Sequence, residues 1–295
     1  MPSLKDVQLK IQGVKKTKQI TKAMNMVATS RLRGAQGAMD GFRPYAEKFS
    51  EVLGSLAEKA GEEASPLLIP KEEVKKIHVV LCTSDRGLCG GFNINLTDKI
   101  KNFIKTHPGD GIDYSFTCFG KKGRDWCRKQ GRTMTDQHLG IVGSKFGFHV
   151  AATAGRKLVD GFLEGEYDEV YIVYSEFVNM AKQLPIIQKL LPIPPIEKET
   201  DEADTGPYQA EHICEPSPEE LLGDLLPRNV YVQIFRALLE TSTSEHAARM
   251  TAMDNATKAC NDMIDNLTLA YNKARQAAIT SDLMDIVGGA EALKG

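Results

Sequence analysis

The chain has 295 residues, 42% hydrophobic and 26% charged, an ordinary soluble composition with enough apolar material for one large or two modest cores. No apolar run reaches the ~18–20 residues that span a bilayer, and the opening MPSLKDVQLK lacks the apolar region of a signal peptide. The net charge of −2 hides an asymmetry: residues 1–43 carry nine Lys or Arg against Asp6 and Asp40, whereas residues 197–224 carry ten carboxylates against Lys198.

From the N-terminus, Leu4, Val7, Ile11 and Val14 recur at spacings of three and four, and Ile20, Met24 and Val27 resume the stripe after a phase slip. That pattern predicts a helix with one face committed to a partner helix. Pro44 predicts a kink or break. More helix is expected from Tyr45 to Ala60, closed by Gly61, Pro66 and Pro70.

The periodicity then changes. Ile77–Cys82 is a short apolar run with a Gly-rich turn behind it, which reads as a buried strand, and Tyr114–Phe119 and Val170–Tyr174 read the same way. Helices are expected near 93–106, 121–130 and 144–164, giving the β-α-β-α-α-β alternation of a three-layer α/β domain. Leu184–Ile193 is bracketed by Pro185 and Pro192, an edge strand at best. The acidic, Pro-containing stretch 195–218 reads as a loop or linker.

A last helix is expected to begin near Ser217 and Pro218, where Glu219 and Glu220 suit the positive end of the helix dipole. Leu222, Leu225, Val230, Ile234, Leu238 and Leu239 line its first part. Met250, Met253, Thr257, Cys260, Ile264, Leu267, Tyr271, Ala274, Ala278 and Ser281 then form a heptad seam. Little interrupts it before Gly288-Gly289, so some 60 residues would reach roughly 90 Å. The expected organisation is an N-terminal coiled-coil helix (1–60), a Rossmann-like α/β domain (74–195), an acidic linker (196–217) and a C-terminal coiled-coil helix (218–288). The two terminal helices pair antiparallel.

The loop SDRGLCGGFN (84–93) lies where phosphate and dinucleotide sites occur, but it has neither GxGxxG nor a Lys-Ser/Thr pair after Gly91; a tight turn with Asn93 capping the next helix fits better. The six histidines show no HExxH and no pairing with the six scattered cysteines, and there is no GxSxG elbow, so no metal site, cofactor site or catalytic constellation is expected. Lys15, Lys16, Lys18 and Lys22 could face phosphate backbones, acidic protein surfaces or water. The absence of an aromatic before Phe42 argues against nucleic acid. The end of the seam, Ala274, Ala277, Ala278 and Ser281, buries little apolar area, and a helix pair so weakly held points to a sheath supplied by something else.

Three blocks resemble the gamma subunit family of F-type ATP synthases: KIQGVKKTKQITKAMNMVATSRLRGAQ with RPYAE (10–36 and 43–47), TSDRGLCGGFNINL (83–96), and EHAARMTAMDNATKAC through LTLAYNKARQAAITSDLMDIVGGAEAL (245–293). The resemblance implies a non-catalytic central rotor stalk: a coiled coil inside a hexamer of alternating alpha and beta subunits, and an α/β foot on the membrane rotor ring, with the epsilon subunit as a further partner. It also implies a peripheral position on the cytoplasmic side of a bacterial inner membrane. By match to the family's motifs, Arg249, Gln276 and Thr280 resemble the polar catch that bonds a catalytic-subunit loop. Met24 with Lys22, and the basic Lys15, Lys16 and Lys18, match positions facing an acidic beta segment, and Glu215 resembles the foot's contact with the ring. Cys214 stands where an aromatic is common, and Ser281-Asp282 replaces a more usual Gln-Glu. The readings left beside this one are a free-standing dinucleotide-binding α/β enzyme with helical extensions and a basic coiled-coil adaptor for nucleic acid.

Overall fold

The computed structural model describes residues 4–60, 65–106, 111–194 and 217–292. In chain order these form α1 (Leu4–Ala60), β1 (Lys76–Cys82), α2 (Phe92–Thr106), β2 (Asp113–Phe119), α3 (Lys121–Lys129), β3 (Thr133–His138), α4 (Phe148–Leu163), β4 (Glu169–Phe177), β5 (Gln183–Leu191) and α5 (Pro218–Ala292). The chain divides into two compact units, one of Met1–Thr29 with Arg249–Gly295 and one of Ser30–Ala248.

The larger unit is built on a five-stranded sheet of order β3-β2-β1-β4-β5, parallel except for β5, which runs antiparallel at the edge. β1 sits in the middle because KIHVVLC is apolar on both of its faces, as a strand covered by helices on both sides must be. Ile77, Val79 and Leu81 join Tyr114, Phe116 and Cys118 on one face, packed under Phe92, Leu96 and Ile100 of α2 and Cys127 of α3. Val80, Cys82, Phe119, Ile172 and Tyr174 line the other face, under Ala151, Ala154 and Leu158 of α4. That second face also receives Leu53 and Leu56 of α1 and Leu222, Leu226, Val230, Ile234 and Leu238 of α5. Each such buried aliphatic contributes roughly 1.5–3 kcal/mol. Stretches of both long helices are therefore structural parts of the three-layer α/β architecture.

Four expectations need correction. Pro44 lies inside α1 and does not end it; the missing N–H removes one ladder bond, while Ala46, Leu53 and Leu56 beyond it are buried and hold the helix on course. Gly288-Gly289 likewise falls inside α5. The strand Thr133–His138 was not expected, because TMTDQH is a polar edge strand whose buried-side positions include Asp136 and His138. Asn93 does not cap α2: Phe92 already begins the helix, and the Asn93 side chain turns back to the Gly-rich loop. Its Oδ1 accepts from the Ser84 amide at 3.1 Å and its Nδ2 donates to Ser84 Oγ at 2.8 Å. Within that loop Leu88 adopts φ 64°. The Leu184–Ile193 stretch does form an edge strand, with Pro185 opposite Ser175 in the antiparallel register, and Ser217 Oγ accepts from the Glu220 amide at 3.2 Å at the start of α5.

One buried polar group gives the sheet a pH dependence. His78 is fully buried in β1 between Ser115 Oγ (2.7 Å from Nδ1) and Thr117 Oγ1 (2.9 Å from Nε2), and burial lowers its pKa to about 4. The ring is neutral in the fold, whereas the unfolded chain takes up a proton below about pH 6.5. Stability contributed by this site is intact above that pH and falls as the pH drops from 6.5 toward 4, by at most about 1.4 kcal/mol per unit. Urea unfolding at pH 7, 6 and 5 should show a shallower pH slope for His78→Gln than for the natural chain; identical slopes would remove His78 as the cause.

Candidate partner-binding surface of the coiled coil

In the smaller unit the N-terminal part of α1 and the C-terminal part of α5 pair antiparallel. Thr21 and Thr257 share a hydroxyl hydrogen bond of 2.8 Å, and Asn25 Nδ2 donates to the Met250 carbonyl at 2.8 Å, so advancing on one helix means retreating on the other. On α1 the inward row is Val7, Ile11, Val14, Lys18, Thr21, Asn25 and Ala28, all buried or half-buried, at an unbroken alternation of three and four. On α5 it is Met250, Met253, Thr257, Cys260, Ile264, Leu267, Tyr271, Ala274 and Ala278.

The phase slip expected after Val14 is therefore absent. Ile20 and Val27 are 60% and 56% exposed, and the seam is carried instead by Lys18, Thr21 and Asn25. Polar residues at seam positions weaken a coiled coil and fix its register, and here both polar rungs are satisfied across or along the helices. The two rung residues of α1 were passed over because apolar neighbours drew the stripe to the wrong face; a strict 3-4 count from Ile11 finds them.

Lys15, Lys16 and Lys22 are exposed on α1, and Lys18 is half-buried at the seam, its carbonyl accepting from Thr21 Oγ1 at 3.0 Å. Met24 is half-buried beside Asn25, and Arg249 is half-buried one residue before Met250, so the register sets Lys22, Met24 and Arg249 within about two turns of one another along the pair. Gln276 and Thr280 are exposed one turn apart, with Thr280 Oγ1 donating to the Gln276 carbonyl at 2.9 Å. Twenty-seven residues of helix separate Arg249 from Gln276, about 40 Å at 1.5 Å per residue. The expected residues thus form two bands and not one site. Glu215, with residues 196–216 of the acidic stretch, lies outside the described residues.

Ser281, expected in the seam, is exposed, as is every described side chain of α5 after Ala278. The register brings Leu4 near Ala274, so the described part of α1 ends where α5 loses its cover. Beyond this point Leu283, Met284, Ile286 and Val287 are 51–70% exposed. Such contiguous apolar exposure marks a surface that another molecule covers.

A family profile described as ATP synthase matches residues 3–293. The chain is similar to the ATP synthase gamma chain of Desulfosudis oleivorans, 70% identical with all of both chains covered, and to that of Desulforapulum autotrophicum, 64% identical over 99% of this chain and all of the relative. Among solved structures, its fold is similar to a chain of the Euglena gracilis mitochondrial ATP synthase OSCP/F1/c-ring assembly, with a TM-score of 0.66 at 19% identity, 98% of this chain and 94% of the other being covered. It is likewise similar to a chain of the Tetrahymena thermophila mitochondrial ATP synthase central stalk/c-ring, with a TM-score of 0.58 at 24% identity, covering 80% of this chain and 99% of the other.

Proposed function

The chain belongs to the ATP synthase gamma chain family, and from that premise we propose that it works as the central rotor stalk, its two units dividing the labour. The coiled coil turns inside the hexamer of alpha and beta subunits, and the α/β unit, with the epsilon subunit, engages the membrane rotor ring. The observation that carries this reading is the run of α5 past Ala278, apolar, long and uncovered, a surface suited to a smooth sleeve. The chain performs no bond chemistry of its own.

Coupling follows from broken symmetry. One stalk with unlike faces cannot touch three identical catalytic sites alike, so each orientation favours a different conformation in each. A differential contact energy of about 5.5 kcal/mol swings one site from 1:99 to 99:1 between open and closed. The band of Lys22, Met24 and Arg249, with Lys15, Lys16 and Lys18 further along α1, meets an acidic beta segment; Gln276 and Thr280 supply hydrogen bonds to a loop of a catalytic subunit; Glu215 meets polar loops of the ring. The assembly sits at a bacterial inner membrane on its cytoplasmic side. In support, no described helix is long and apolar enough to cross a membrane.

Purified with its alpha and beta subunits and reconstituted into vesicles, the complex carrying Gln276→Ala or Thr280→Ala is expected to lose roughly two- to tenfold in ATP synthesis, the scale of one hydrogen bond. The chain's own thermal stability should not move, because both side chains are exposed. Unaltered synthesis for both variants would count against the catch.

A further inference from the structure

The loop between β3 and α4 reaches both long helices within the larger unit. Gly140 and Gly143 take φ values of 76° and 81°, and Ser144 Oγ lies 2.7 Å from both the Gly140 and Ile141 carbonyls, winding the segment into a tight turn. Val142 anchors the turn in the core at 4% exposure. The Gly143 carbonyl then accepts from Arg31 Nη1 of α1 at 2.9 Å. On its other side Gly143 is closed by α5: a Cβ built there would stand 2.7 Å from Glu245 Oε2, so the carboxylate of this nearly buried residue rests directly on the glycine.

A second path runs beside the first. Phe146 of the loop and Phe148 at the start of α4 set their edges against Phe235 of α5, at 5.7 and 5.5 Å between ring centres, and Phe235 is edge-on to Phe42 of α1 at 4.8 Å. Such pairs are worth about 0.5–1.5 kcal/mol beyond their buried area and resist sideways displacement through their geometry. One short loop is therefore tied to α1 by a charge-assisted hydrogen bond and to α5 by a packed carboxylate and two ring edges, and through Phe235 its rings reach Phe42 of α1. Because these contacts bridge the loop to both helices, turning the sheet about the helices loads them. Arg31 itself is exposed, so the unit does not need its side chain for a core.

We propose that the β3–α4 loop is the joint through which the α/β domain turns its two helices, with Arg31, Gly143 and Phe235 as positioning residues that set the torsional stiffness of the stalk. This inference rests on the stalk reading. It assigns work to the loop that the core packing alone does not require.

The test uses the assembled complex, its catalytic head fixed to a surface and a gold rod attached at the exposed α4–β4 turn, recording the angular variance of the rod while the head pauses. Arg31→Ala and Phe235→Leu are each expected to raise that variance about twofold or more, since a lost cross-contact softens the joint, and Arg31→Lys to restore part of it. A merely structural role would change the melting temperature without changing the variance. Variance equal to the unsubstituted complex in Arg31→Ala, with assembly and ATP hydrolysis intact, overturns the joint; should Phe235→Leu fail to assemble, this exposed position decides alone. Absence of ATP-driven rotation in the unsubstituted complex would overturn the stalk reading and the joint with it.

Discussion

Gly120→Ala is expected to destabilise the α/β unit by roughly 2–4 kcal/mol, combining left-handed backbone strain with a backbone collision. Gly120 has φ 98°, and a Cβ there would stand 2.8 Å from the Thr83 carbonyl carbon and 2.9 Å from Thr83 Oγ1, with the carbonyl oxygen closer still. Nothing on that side yields easily. The Thr83 amide donates to the Phe119 carbonyl at 2.8 Å, the Gly120 amide donates to the His138 carbonyl at 3.0 Å, and Thr83 Oγ1 accepts from the Gly123 amide at 2.8 Å. The substitution therefore pries apart the crest where β1, β2 and β3 end and α3 begins. Differential scanning calorimetry of the full chain should record a fall in Tm of roughly 5–15 °C. Gly131→Ala is the internal control: its φ is 63°, but nothing lies within 4 Å, so it should cost only about 1 kcal/mol. Equal Tm values for the two variants would mean that the crest is not packed as described.

Charge reversal at Lys15, Lys16 and Lys18 is expected to lower ATP synthesis by the reconstituted complex at least about tenfold, because like charges set against an acidic partner surface cost several kcal/mol. Six lysines against Asp6 make residues 1–29 carry +5, and three reversals leave −1. The effect should shrink with added salt, as exposed charges do within a Debye length of about 8–10 Å. Lys15 and Lys16 are exposed, but Lys18 is half-buried in the seam, so the triple Gln variant separates lost attraction from disturbed packing. A triple Glu variant that assembles and turns over like the triple Gln variant would remove the electrostatic role.

Much of the fold was legible because it rests on apolar pattern. β1 announces itself through six consecutive residues with both faces buried, and the seam of α5 through its heptads. What escaped was polar structure. β3 exposes Thr133, Thr135 and Gln137 and half-buries Asp136 against Lys157 Nζ at 2.6 Å, a pairing between residues 21 apart that no local pattern encodes. The α1 seam was misphased where Lys18, Thr21 and Asn25 replace hydrophobes, since the cross-helix partners of Thr21 and Asn25 lie more than 220 residues away. Helix continuity through Pro44 was decided by packing beyond the proline and not by its local preference. The candidate residues came from the resemblance, residue by residue; what the sequence could not say is that Arg249 and Gln276 stand some 40 Å apart along one helix.

The polar rungs have a mechanical consequence. Sliding the two helices past each other by one heptad would carry Asn25 away from the Met250 carbonyl and set Thr21 beside Ile264 instead of Thr257, forfeiting both cross-helix bonds at once. The pair can roll or flex with its seam intact, but it cannot telescope. A rod that turns without changing length holds its far end at a constant height, and height is what a part turning in a fixed bearing must not lose.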